Sequence, residues 1–178
     1  LVECLVLDVG HGELLVRALK KAFAHHEVRM KVSEALGTQE FGGVCLKGAE
    51  SKSSNVRELV ADTIYNCLLD GDVRAAEPLV PILAKLIRDD DTGVGNKAGK
   101  AWIVLLRSVS GKKLIMESEE AARKLVVDAG GALAIADVNE TVALRIHYLL
   151  MIVGEVDRDL FQRLGKLGCW KRILDIFK

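Results

Sequence analysis

The stretch of this chain best equipped for chemistry is Gly93-Val94-Gly95-Asn96-Lys97-Ala98-Gly99-Lys100, rich in the glycine and lysine that wrap phosphates. A phosphate loop needs four residues between its first glycine and the Gly-Lys-Ser/Thr, so that backbone amides encircle the anion. Here the gap is three from Gly95 and five from Gly93, and Ala101 replaces the hydroxyl that would hold magnesium. Gly93, Gly95 and Ala98 also match a loose dinucleotide spacing. That fingerprint must follow a strand, whereas Ile82 to Arg88 upstream reads as helix. The stretch is expected to be a flexible joint before a long helix.

The remaining reactive types fail on spacing. A calcium loop started at Asp89 of Asp89-Asp90-Asp91 would put Val94 at the glycine position and Lys100 at the glutamate position, so a solvated acidic joint is expected. His25-His26-Glu27 opens like a zinc-protease helix, but Met30 stands where the second imidazole belongs. His147 is alone on a helical stretch, and Ser108, Ser110 and Gly111 form no Gly-x-Ser-x-Gly. Cys4, Cys45, Cys67 and Cys169 lie far apart without a Cys-x-x-Cys, which predicts reduced, half-buried thiols rather than a zinc site or a disulfide framework. Asn139-Glu140-Thr141 is a glycosylation sequon, with Asn139 read as a helix cap. No catalytic constellation emerges. The expectation is a non-catalytic protein without cofactor or metal.

Composition points to a soluble globular protein and names no partner. Of 178 residues 50% are hydrophobic and only 4% aromatic, and 25 basic residues balance 25 acidic ones. Disordered chains need fewer apolar residues, and a nucleic-acid binder driven by its overall field needs a basic excess. No apolar run approaches the roughly 18 residues of a membrane span, and the amino terminus lacks a secretory signal pattern. A cytoplasmic protein with neither membrane span nor nucleic-acid partner is expected.

The elements that would position any site are helices. Apolar residues recur at helical spacing in Leu14, Leu15, Ala18, Leu19, Ala22 and Phe23, and again in Leu59, Val60, Ile64, Cys67 and Leu68. Ala101, Trp102, Leu105, Leu106 and Val109 form a third stripe, and Leu144, Tyr148, Met151 and Ile152 a fourth. Strand-like alternation is nearly absent, so the fold is expected to be all-α. Gly10, Asn55, Asn96 and Asn139 serve as candidate amino-terminal caps. Five residues after them stand Leu15, Val60, Ala101 and Leu144; nine after, Leu19, Ile64, Leu105 and Tyr148. The anchors are 45, 41 and 43 residues apart (55−10, 96−55, 139−96).

Between the long helices, Leu125 to Leu133 and Leu164 to Leu174 each place glycine between two short helical segments, and Glu34-Ala35-Leu36-Gly37 is a weaker version. In the second unit Glu77-Pro78-Leu79-Val80-Pro81 takes the place of that glycine, and proline in a first turn starts the next helix equally well. This period of paired and tripled helices resembles armadillo and HEAT arrays. The resemblance implies a right-handed α-solenoid of about four repeats in one domain, residues 1–178, with both ends incomplete. Its approximate units are 1–9 (partial), 10–54, 55–95, 96–138 and 139–178, a piece of a longer array whose further repeats would flank it.

In armadillo arrays the long third helices line a concave groove, so the resemblance implies a partner-binding groove of Arg17, Lys21, Asp62, Asn66, Ile103, Arg107, Ile146 and Leu150. Of these only Asn66 matches the Trp/Asn ladder that grips basic extended peptides, with Trp102 one residue from its slot. A charged end and an apolar end suit an amphipathic helix or folded protein partner instead. Thr92-Gly93-Val94, Ala101 to Leu106, Leu125-Val126-Val127-Asp128 and Asp157 to Leu164 are similar to the central repeats of UCS-type myosin chaperones. That likeness implies a scaffold or chaperone whose client is myosin. Leu15 to Lys20 resembles the entry helix of the formin armadillo domain, which implies a Rho-type GTPase as partner. An enzyme using the Gly93 to Lys100 loop is the alternative of another class.

Overall fold

The structure is a computed structural model that describes residues 17–18, 21–35, 37–70, 73–117, 155 and 157–166. Among them the chain is all-α, with no strand. Helices α1 (His26–Ser33), α2 (Gln39–Ala49) and α3 (Ser54–Asp70) come first. A 3-10 segment (Val73–Leu79) then leads into α4 (Val80–Leu86), followed by α5 (Thr92–Arg107), α6 (Val109–Glu117) and α7 (Arg158–Lys166).

Local signals set the joints. The Thr38 hydroxyl donates to the Ala35 carbonyl at 2.8 Å and accepts from the Phe41 amide at 3.2 Å, which starts α2. Pro81 sits in the first turn of α4, where its missing N–H costs nothing. The caps of the two long helices differ from expectation. The Ser53 carbonyl accepts from the Arg57 amide at 3.2 Å, so α3 begins ahead of Asn55. Asp91, not Asn96, caps α5: its carboxylate accepts from the Gly93 amide at 2.9 Å and the Val94 amide at 3.2 Å. Asn96 is therefore an exposed residue inside α5, and the unit boundary at 95/96 falls within a helix.

The Gly93 to Lys100 stretch is likewise helix, not a flexible joint. Each glycine costs a helix roughly 1 kcal/mol relative to alanine. The Asp91 cap and the buried stripe of Val94, Ala98, Ala101, Trp102 and Leu105 offset that cost. Gly93 also brings α5 close to α3, since a methyl there would lie 3.1 Å from the Asp91 carboxylate and 3.4 Å from the Glu58 carboxyl carbon.

The α3–α5 contact is the most extensive between elements, with α1 and α2 on α3 and α4 on α5. Leu59, Val60, Ile64, Cys67 and Leu68 are all buried, as their spacing predicts, and so are Ala101, Trp102, Leu105 and Leu106. Val109 departs from its stripe and is 84% exposed. The cause is a corner at Ser108, whose backbone turns extended at φ −81°, ψ 143° and ends α5. The Ser108 hydroxyl donates to the Leu105 carbonyl at 3.1 Å and accepts from the Gly111 amide at 2.8 Å, so one side chain closes α5 and opens α6. Leu160 and Leu164 of α7 belong to the same core, and Lys112 reaches Asp157 at 3.7 Å just before α7. Leu144, Tyr148, Met151 and Ile152 lie outside the described residues.

Candidate protein-binding face of the two long helices

Two lateral ties fix how α3 lies against α5. Asp62 is ion-paired with Lys97, and Glu58 stands opposite Gly93. Both join residues 35 apart (97−62, 93−58), and both partners advance by four, so the helices run parallel in register. Glu50 after α2 meets Lys85 of α4 at 3.0 Å with the same offset (85−50). Each earlier helix thus pairs with its later counterpart.

The 35-residue register sets the α3 stripe at Glu58 and Asp62 against Gly93 and Lys97 of α5, and the exposed stripe of α5 lies one residue round from them. On α3, Glu58, Asp62, Asn66 and Leu69 follow one another at steps of four, four and three. On α5, Asn96, Lys100, Ile103 and Arg107 follow at steps of four, three and four. Leu69, 52% exposed, is one of few large apolar side chains presented to solvent among the described residues. Tyr65, Ile103 and Val104 are partly buried against the core beneath.

The expected groove residues divide accordingly. Asp62 and Asn66 share one stripe of α3, and Ile103 and Arg107 share one stripe of α5. Asp62, however, is only 9% exposed and spent on Lys97, while the Asn66 amide donates to the Asp62 carbonyl at 2.7 Å within its own helix. Arg17 and Lys21 are exposed and helical, but no hydrogen bond or ion pair ties them to α3 among the described residues. Ile146 and Leu150 lie outside the described residues, as do Cys4, Cys169, Asn139 and His147.

In the acidic joint ahead of α5, Asp90 is exposed, while Asp89 and Asp91 are half-buried and held by specific bonds. Arg57 holds Asp89 through two parallel bonds, Nε to Oδ2 at 2.6 Å and Nη2 to Oδ1 at 2.9 Å. Its Nη1 donates to the carbonyls of Ser51 at 2.9 Å and Lys52 at 3.2 Å. One guanidinium therefore joins the loops that precede both long helices. The hydrogen bond with Asp89 raises the Arg57 pKa further, against the opposing effect of burial. Sequence reasoning missed this bridge because its partners are 32 residues apart.

Asp91 gives the joint a pH dependence. The Val94 amide, then the Ser54 hydroxyl and the Gly93 amide, hold its carboxyl below the usual 3.8, against burial and with help from Arg57. A depressed folded-state pKa means that the stabilisation is complete above the ordinary aspartate value and is lost as pH falls through the lower one. Urea midpoints from pH 6 down to 2 should show this loss, and Asp91→Ala should remove about 1 kcal/mol at neutral pH together with that part of the acid slope. An unchanged acid slope in Asp91→Ala refutes the assignment.

Cys45 and Cys67 are buried thiols outside any disulfide, and burial first, then Cys67, pushes the Cys45 thiol up to about 12. The Cys45 thiol therefore stays protonated at neutral pH. Among the described residues no group of three or more His, Cys, Asp or Glu side chains could hold a metal, and no helix is long and apolar enough to cross a membrane. No protein family, curated protein or solved structure matches the chain.

Proposed function

We propose that the chain is a non-catalytic interaction scaffold, a right-handed armadillo-type solenoid of about four repeats that binds a protein partner on its long helices. The observation that supports this reading is the parallel α3–α5 pair, in which Leu69 of α3 and Lys100 and Arg107 of α5 are exposed. Stacked helical units bury one another's apolar flanks and leave an extended surface for a partner. The partner in this reading is a client such as a myosin motor, held by a cytoplasmic chaperone or adaptor that needs no cofactor.

Immobilised chain presented with purified myosin motor domain, and separately with a GTP-loaded Rho-type GTPase, tests the assignment. Retention of the motor supports the chaperone reading, and retention of the GTPase moves the chain to a formin-like role. Leu69→Asp should abolish retention while leaving the helical circular dichroism signal intact. Retention of neither protein overturns the partner assignment, and retention undiminished in Leu69→Asp overturns the face.

A further inference from the structure

Residues 92–116 contain five basic side chains, Lys97, Lys100, Arg107, Lys112 and Lys113, and no acidic one, in a chain whose formal charge is zero. Three of the five are answered: Lys97 by Asp62, Lys112 by Asp157 and Lys113 by Glu117. The two left over, Lys100 and Arg107, are exposed and make no ion pair with any other described residue. They share one stripe of α5, with partly buried Ile103 between them. Their separation of seven residues (107−100) is two helical turns, about 10 Å along the axis.

Resting on the reading that the α3–α5 face binds protein, we propose that its occupant is an acidic amphipathic helix. Two carboxylates seven residues apart would meet Lys100 and Arg107, and an apolar side chain midway would seat on Ile103. The pattern repeats that of α5 with the charge inverted, which is what makes the two helices complementary. Attraction between exposed charges is screened over about 10 Å at 0.1 M salt, so binding weakens as salt rises. An acidic helix is thereby distinguished from an apolar one.

Fluorescence anisotropy on the whole chain tests this with two labelled synthetic helical peptides. One carries Glu at two positions seven apart with Leu between them, and the other carries Lys in place of Glu. The acidic peptide should bind, and more weakly in higher salt; the basic peptide should not. The double variant Lys100→Glu with Arg107→Glu should lose about tenfold in affinity for the acidic peptide and gain affinity for the basic one. Equal affinity for both peptides overturns the proposal. Undiminished acidic-peptide binding in the double variant, with loss in Leu69→Asp, overturns the acidic specificity but keeps the face. Undiminished binding in both variants, or no binding of either peptide, overturns the specificity and the face together.

Discussion

Gly111→Ala is expected to lower the free energy of unfolding by roughly 3 kcal/mol, the upper part of the range for overpacked sites. A methyl group on Gly111 would stand 2.0 Å from the Leu105 carbonyl oxygen, 2.8 Å from its carbon and 2.7 Å from the Ser108 hydroxyl. Two of these neighbours are main-chain atoms at the end of α5, so no side chain can swing aside. The Ser108 corner has to open, which displaces α6 and breaks the hydroxyl's bonds to both helices. Urea unfolding followed by circular dichroism reads the loss, and an unchanged midpoint would refute the corner. Ser108→Ala should cost less, about 1 kcal/mol, because it removes a cap without forcing a collision.

Truncating Trp102 should cost about 3 to 5 kcal/mol, the range for large aromatic residues cut to alanine in a core. Trp102 is wholly buried, on the side of α5 that faces the common core. Its indole N–H finds no acceptor among the described residues. Burying such a donor unpaired is itself unfavourable by about 1 to 3 kcal/mol, so the stabilisation comes from packing alone. Trp102→Phe should therefore be far milder than Trp102→Ala, since it retains a ring and removes the orphaned donor. Comparable losses in the two variants would show that the N–H has a partner after all.

The contrast between what could be read from the sequence and what could not follows from range. The buried stripes of α3 and α5, the Thr38 start of α2 and the Pro81 start of α4 are all set by neighbours within a turn or two. Local pattern suffices there. Asn55 and Asn96 drew attention as caps because asparagine favours that role, yet Ser53 and Asp91 are the residues in position. Asp91 two places before Gly93 and three before apolar Val94 was the available signal. On the candidate face, Asp62 and Asn66 were found by alignment to a repeat, but their present partners were not. Lys97 lies 35 residues from Asp62 and Asp89 lies 32 from Arg57, and nothing in local periodicity pairs them. Lys100 gained its meaning only once the acids beside its neighbours were known.

The constant 35-residue offset of the lateral ties also decides where the chain tolerates a change in length. Lengthening the connection beyond the carboxyl end of α3 enlarges the closed loop, and even doubling such a loop costs only about 0.6 kcal/mol. A single residue inserted between Glu58 and Asp62 is a different matter. It turns everything downstream in α3 by about 100° about the helix axis, so that Asp62 swings away from Lys97 and the apolar stripe leaves the core. Insertions are forgiven at the joints and forbidden within the paired helices.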